Sequence, residues 1–194
     1  MEKSPKNYDV LIIGAGPAGA NAAISYKNLN PNLTVGLVDK AIFPRDKSCG
    51  DAIGPGVISA LKRFNNEHIL DGEPQVVSTT LYGPDNIGIQ NYIPEVKNKE
   101  DSIVYVIPRV DLDNRILDLA KECGVDVYEG YSFVDFTSNL DKSLNVQIKN
   151  ENENLEFLTK ILVGADGANS RIRKKLSYKS NSDWHKAIAI RAYI

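Results

Sequence analysis

The sequence predicts an α/β fold: a parallel sheet built on a βαβ unit, followed by an antiparallel β-meander and a few strands of a second sheet. Three observations carry this. An apolar run, Val10–Ile13, leads at once into Gly14-Ala15-Gly16-Pro17-Ala18-Gly19. A helix-compatible segment comes next, then a second apolar strand, Val35–Val38, that closes on Asp39. Later, short strands alternate with polar turns, as an antiparallel meander requires. The first two features are the strand–turn–helix–strand order of a Rossmann-like dinucleotide fold.

In that order each residue type has a reason. Gly14 permits the tight turn, Gly16 lets backbone approach a pyrophosphate, and Gly19 lets the helix pack on the sheet. Pro17 suits the first helical turn, where its missing N–H is not needed. The helix directs its N–H groups and positive dipole end at phosphates. Asp39 stands about twenty residues past Gly19, where an acid can hold a ribose hydroxyl pair. A βαβ unit without ligand leaves three glycines in one turn unexplained. The motif alone does not separate FAD from NAD.

Composition excludes several function classes. A net charge of −2 gives no polyanion-seeking surface, so no nucleic-acid partner is expected. The hydrophobic share of 42% is ordinary for a globular core. Two cysteines, Cys49 and Cys123, make no disulfide framework and fit a reducing cytoplasm. His68 and His185 lack metal-ligand spacing, and no His/Cys cluster supports a metal site. No apolar run has bilayer-spanning length, Val10–Ile24 coming nearest, while a peripheral membrane contact stays open. The amino-terminal MEKSPKN shows no targeting pattern.

The remaining elements follow in order. The first helix covers residues 17–29, and residues 43–56 form a long loop punctuated by glycine and proline, a length that favours function. Val57–Phe64 is a short helix. Val76–Tyr82 and Ile87–Ile93 are strands around Gly83-Pro84-Asp85-Asn86, and Glu95–Asp101 is a charged loop. Ser102–Ile107 is a strand. Val110–Glu122 is a helix with Leu112, Ile116, Leu119 and Ala120 on one face, stopped by Gly124. Val125–Tyr128 and Phe133–Thr137 are strands, Leu144–Lys149 and Leu155–Leu162 a hairpin. A basic helix begins near Ser170, and Ala187–Ile194 is one more strand.

Four residues of the later segments carry polar chemistry. Arg45 offers a guanidinium fork for pyrophosphate oxygens, or is a solvated loop residue. Cys49, before Gly50, is either a small buried thiol or a group exposed to nearby cations. Asp51 outranks Asp46 as a functional carboxylate because it completes the Cys-Gly-Asp triplet. Asp166, bracketed by Gly164 and Gly167 at a strand end, can accept from ribose hydroxyls or simply bond its own turn. The basic side chains of Arg171, Arg173, Lys174 and Lys175 meet either the extra phosphate of NADPH or only solvent.

Three motifs and one helix now agree: GAGPAG with Asp39, RDKSCGDAIGP (Arg45–Pro55), GADGANSRIR (Gly164–Arg173), and PRVDLDNRILDLAKECGV (Pro108–Val125). Together they resemble the geranylgeranyl reductase family of FAD-dependent oxidoreductases, a branch of flavoproteins with the p-hydroxybenzoate hydroxylase-like fold. The resemblance spans nearly the whole chain as the N-terminal part of such a protein. It implies FAD held by Gly14, Gly16, Pro17, Ala18, Gly19, Asp39 and Lys40. It implies that Arg45, Cys49, Gly50 and Asp51 pass beside the flavin and pyrophosphate, and that Arg109 contacts FAD. Val134 or a neighbour would flank the adenine, and Asp166 and Gly167 would touch both FAD and the nicotinamide donor. Cys49 is the flavin-proximal candidate, and no catalytic acid is named.

The activity implied is reduction of carbon–carbon double bonds in a prenyl-chain lipid, fed by NADPH or reduced ferredoxin. An aromatic monooxygenase or halogenase of the same fold is the alternative, and a non-catalytic nucleotide-binding module the third. Residues 1–75 and 98–180 are expected to form a discontinuous FAD-binding domain. Residues 76–97 and 181–194 are expected to supply incomplete strands of a substrate domain. The family's second glycine–aspartate segment is missing, so the chain reads as a fragment that holds FAD weakly or not at all by itself.

Overall fold

A computed structural model describes residues 5–92 and 104–177. The centre is a six-stranded sheet whose strands lie in the order 126–129, 35–39, 6–13, 154–164, 144–149 and 132–138. β1 (Lys6–Ile13) and β2 (Val35–Asp39) pair in parallel, joined by α1 (Pro17–Leu29). β7 (Asp126–Glu129) extends the parallel half beyond β2. β8 (Ser132–Ser138), β9 (Leu144–Lys149) and β10 (Asn154–Gly164) form the antiparallel meander, with a bulge between Phe133 and Asp135.

β10 does more than close the hairpin expected at Leu155–Leu162. It runs on to Gly164 and pairs in parallel with β1, Lys6 against Phe157 through Ile13 against Gly164. This pairing joins the two halves of the sheet. It also puts the turn after β10 beside the turn after β1, where the Ala165 N–H donates to the Ile13 carbonyl at 2.7 Å.

The sheet is apolar on both faces. β1 alternates Val10 and Ile12 to one side with Leu11 and Ile13 to the other, all buried. The first side packs on α1, through Ala20, Ala23 and Ile24, and on α3 (Arg109–Glu122), through Leu112, Ile116 and Ala120. The second side packs on Phe133, Val146, Ile148 and Phe157. Period-3.6 apolar stripes on the helices meet period-2 strands whose both faces are covered. Gly124, at φ +79°, ends α3 as the sequence predicts.

Several boundaries differ from expectation. α2 spans Pro55–Lys62, not Val57–Phe64, because Pro55 serves as its first residue. The strand expected at Ser102–Ile107 is only β6 (Tyr105–Val106) among described residues, paired with β3 (Ala52–Ile53). A 3₁₀ turn, Glu67–Leu70, was not foreseen. β4 (Ser78–Tyr82) and β5 (Gly88–Tyr92) form a separate two-stranded sheet around the predicted turn. The expectations for Ile93, Glu95–Asp101, Ser102, His185 and Ala187–Ile194 fall outside the described residues.

Candidate functional site: a glycine turn, two carboxylates and an arginine pair

The site sits at the carboxyl ends of β1, β2 and β10, where ligands of open α/β sheets bind. Gly14 has φ +104°, a conformation costly for other residues. A side chain there would be driven into the backbone of Ala165, and one on Gly19 would meet the Gly14 carbonyl and stand 3.2 Å from Ala165 Cβ. The two glycines therefore let α1, the β1 turn and the β10 turn approach as a three-way contact.

Asp39 faces this turn. Its Oδ2 accepts from the Ala15 N–H at 2.7 Å and its Oδ1 from the Ala41 N–H at 2.8 Å. The carboxylate thus braces the glycine turn, a scaffold duty the sequence reading did not foresee. Each oxygen retains a second lone pair for a hydroxyl donor. Pro17 opens α1 as predicted, with Gly16 as its N-cap. That end carries no side-chain cap and no acidic residue in its first turn. Its free N–H groups suit an anion. Ala18 is exposed at this helix start, and Lys40 is exposed beyond β2.

Asp166 lies in the adjoining turn. Its Oδ2 accepts from Arg171 N at 2.6 Å and more weakly from Ile172 N at 3.4 Å, at the start of α4 (Arg171–Lys175). Its Oδ1 is buried with no hydrogen-bond partner among the described residues. Gly167 follows at φ +79°, exposed, with nothing near a would-be side chain. Ser170 caps α4, its Oγ accepting from Arg173 N at 3.0 Å.

The loop between β2 and β3 crosses the site. Phe43 N donates to Glu129 Oε1 at 2.8 Å, tying the loop to the end of β7. Arg45 stacks on the Phe43 ring, 4.7 Å from its centroid, and donates from Nη1 to Asp113 Oδ2 at 2.9 Å. Its Nη2 stands 3.5 Å from where a side chain on Gly16 would begin. Arg109 grips the same carboxylate with a fork, Nε to Oδ1 at 2.6 Å and Nη2 to Oδ2 at 2.7 Å. Asp113 raises the Arg109 guanidinium above the ordinary arginine value, burial opposes this, and the adjacent Cys49 thiol adds to the rise. Cys49 is half-buried and Gly50 exposed. Asp51 is buried at φ +58°, its carbonyl accepting from Ile107 N at 2.9 Å.

The structure brings Gly14, Gly16, Gly19, Asp39, Arg45 and Asp166 to one rim and links Cys49 to Arg109. Val134 stands apart from them. It is exposed on β8 at the bulge and lines a shallow hollow of about 310 Å³ with Gln147, Leu155 and Glu156. Sequence reasoning missed Asp113. Its four-residue spacing from Arg109 on a helix was the available signal. No group of side chains among the described residues could hold a metal ion, and none of their helices is long and apolar enough to cross a membrane.

The residues present fit a flavin dinucleotide. The open helix start, the close glycine turn and the unpartnered Asp166 acceptor call for an anionic, hydroxyl-bearing ligand. The comparisons agree. The FAD binding domain family model matches residues 7–188, and the chain belongs to that family. The chain is 30% identical to a menaquinone reductase of Mycolicibacterium smegmatis over 96% of its length and 44% of that protein. It is 25% identical to a digeranylgeranylglycerophospholipid reductase of Picrophilus torridus over 90% of this chain and 43% of that one. The fold is also similar to p-nitrophenol 4-monooxygenase of Pseudomonas putida, with TM-score 0.77 at 14% identity over 88% of this chain and 44% of that one. The chain spans less than half the length of the curated relatives it matches.

Proposed function

We propose that this chain is the FAD-holding part of an oxidoreductase that saturates carbon–carbon double bonds in a prenyl chain. The observation that carries the cofactor half is the contact of Ala165 N with Ile13 O, which sets the turn bearing Asp166 against the turn braced by Asp39. The substrate half is supported by the sequence relatives, named as reductases of menaquinone and of a digeranylgeranylglycerophospholipid. Both of those substrates carry isoprenoid chains.

Bound FAD would supply hydride chemistry. The chain's own residues do the holding. The start of α1 and Arg45 Nη2 receive pyrophosphate oxygens. Asp39 and Asp166 Oδ1 accept from ribose or ribityl hydroxyls. Residues 76–97 and 181–194 belong to the substrate side of the protein in this reading. NADPH or reduced ferredoxin is the electron donor, and the greasy substrate brings the protein to a membrane surface.

The cofactor half is tested by titrating FAD into the protein that carries this chain and following flavin fluorescence anisotropy. Saturable binding that ADP competes and FMN does not is expected, since the described contacts address the ADP end. No saturation up to about 1 mM would remove the reading. The reaction half is tested on turnover of the protein that carries this chain. Donor oxidation matched by alkene loss supports it, whereas donor oxidation matched by oxygen uptake points to a monooxygenase or halogenase.

A further inference from the structure

Asp113 is the most deeply buried carboxylate among the described residues, with no exposed side-chain surface. Burying a carboxylate is costly unless charge partners surround it. Arg109, one helical turn away, already supplies a two-pronged partner. A second arginine on the same carboxylate adds repulsion between two guanidinium groups. Arg45 nevertheless reaches it from 68 residues away. Two fixtures hold that guanidinium, Asp113 at Nη1 and the Phe43 ring 4.7 Å away, and they leave Nη2 3.5 Å from where a side chain on Gly16 would begin. An ion pair built only to steady α3 has no need to aim Arg45 at the glycine turn.

We propose that Asp113 is a positioning residue: gripped by Arg109, it holds Arg45 with one nitrogen toward the glycine turn, where a dinucleotide pyrophosphate is received. The inference rests on the FAD reading and adds a residue that acts through another. Two effects oppose one another when Asp113 loses its charge. The turn becomes more positive, which favours an anion, and Arg45 loses its anchor, which disfavours one. The proposal requires the second to win, because an untethered arginine must be ordered anew on binding.

The test is a double-mutant cycle on FAD affinity in the protein that carries this chain, using Asp113→Asn, Arg45→Gln and both together. Asp113→Asn is expected to weaken FAD about tenfold. In the Arg45→Gln background the same change is expected to alter affinity less than about twofold, because its means of action is gone. Arg109→Lys keeps the charge but loses the fork, and should weaken FAD with the same dependence on Arg45. A FAD-free readout accompanies these: the urea midpoints of the Asp113 and Arg45 variants should be non-additive.

Unchanged or tighter FAD binding in Asp113→Asn overturns the proposal, as does an undiminished loss without Arg45 or strict additivity of the midpoints. Wild-type protein that takes no FAD removes the parent reading with it. Wild type that binds beside an Asp113→Asn that binds equally well removes this proposal alone.

Discussion

Substituting Gly14 by alanine tests the junction on which the site depends. Two costs add. The backbone sits at φ +104°, where a non-glycine residue is strained by about 1–3 kcal/mol. The new methyl would stand 2.6 Å from the Ala165 carbonyl carbon and 2.9 Å from Asp166 N. Those atoms are backbone, held by the Ala165–Ile13 hydrogen bond, so they cannot swing aside. Overpacking of this kind costs about 1–3 kcal/mol. The sum, about 2–6 kcal/mol, corresponds to a Tm loss of roughly 5–20 °C for a chain of this size. Gly56→Ala is the internal control. That residue lies exposed in α2 with nothing near a would-be side chain, and alanine there should add about 0.5 kcal/mol. Circular dichroism melts of wild type and both variants read the difference. A Gly14→Ala protein that melts with wild type would refute the claim that β1 and β10 deliver two turns into contact.

Other outcomes follow from the same geometry. Asp39→Asn should destabilise the FAD-free chain by about 1–3 kcal/mol, since one of the two backbone donors loses its acceptor. An unchanged melt would mean the carboxylate serves a ligand only. Asp9 bonds Lys160 and Thr34, which hold its carboxyl down at about 2, below the usual 3.8. Its stabilisation is therefore intact above about pH 4 and lost as pH falls toward 2. Asp9→Asn should be less stable than wild type at neutral pH and converge with it at pH 2 in urea titrations. Leu37 is fully buried on the interior strand β2, so Leu37→Ala should cost about 2–5 kcal/mol, read as a lowered urea midpoint at unchanged slope. Ser170→Ala should cost about 1 kcal/mol through loss of the α4 cap.

What lay in the sequence was local. Strand, glycine turn, helix, second strand and terminal acid sit within 34 consecutive residues, Lys6 to Asp39, and their spacing alone carried β1, α1 and β2. The stripe of Leu112, Ile116 and Ala120 likewise gave α3 its buried face, because helix periodicity is written in neighbours. The FAD class was legible for the same reason: its motifs are short runs.

Only the tertiary structure decided how those runs meet. No local pattern shows that β10 leaves its hairpin to lie along β1, since that pairing joins residues about 150 positions apart and its strand looks the same either way. That choice sets Asp166 beside Gly14. The duty of Asp39 as a brace and the shared grip of Arg45 and Arg109 on Asp113 are likewise products of folding. Chain segments far apart in sequence supply the partners that make a buried charge tolerable, and only packing brings them within reach.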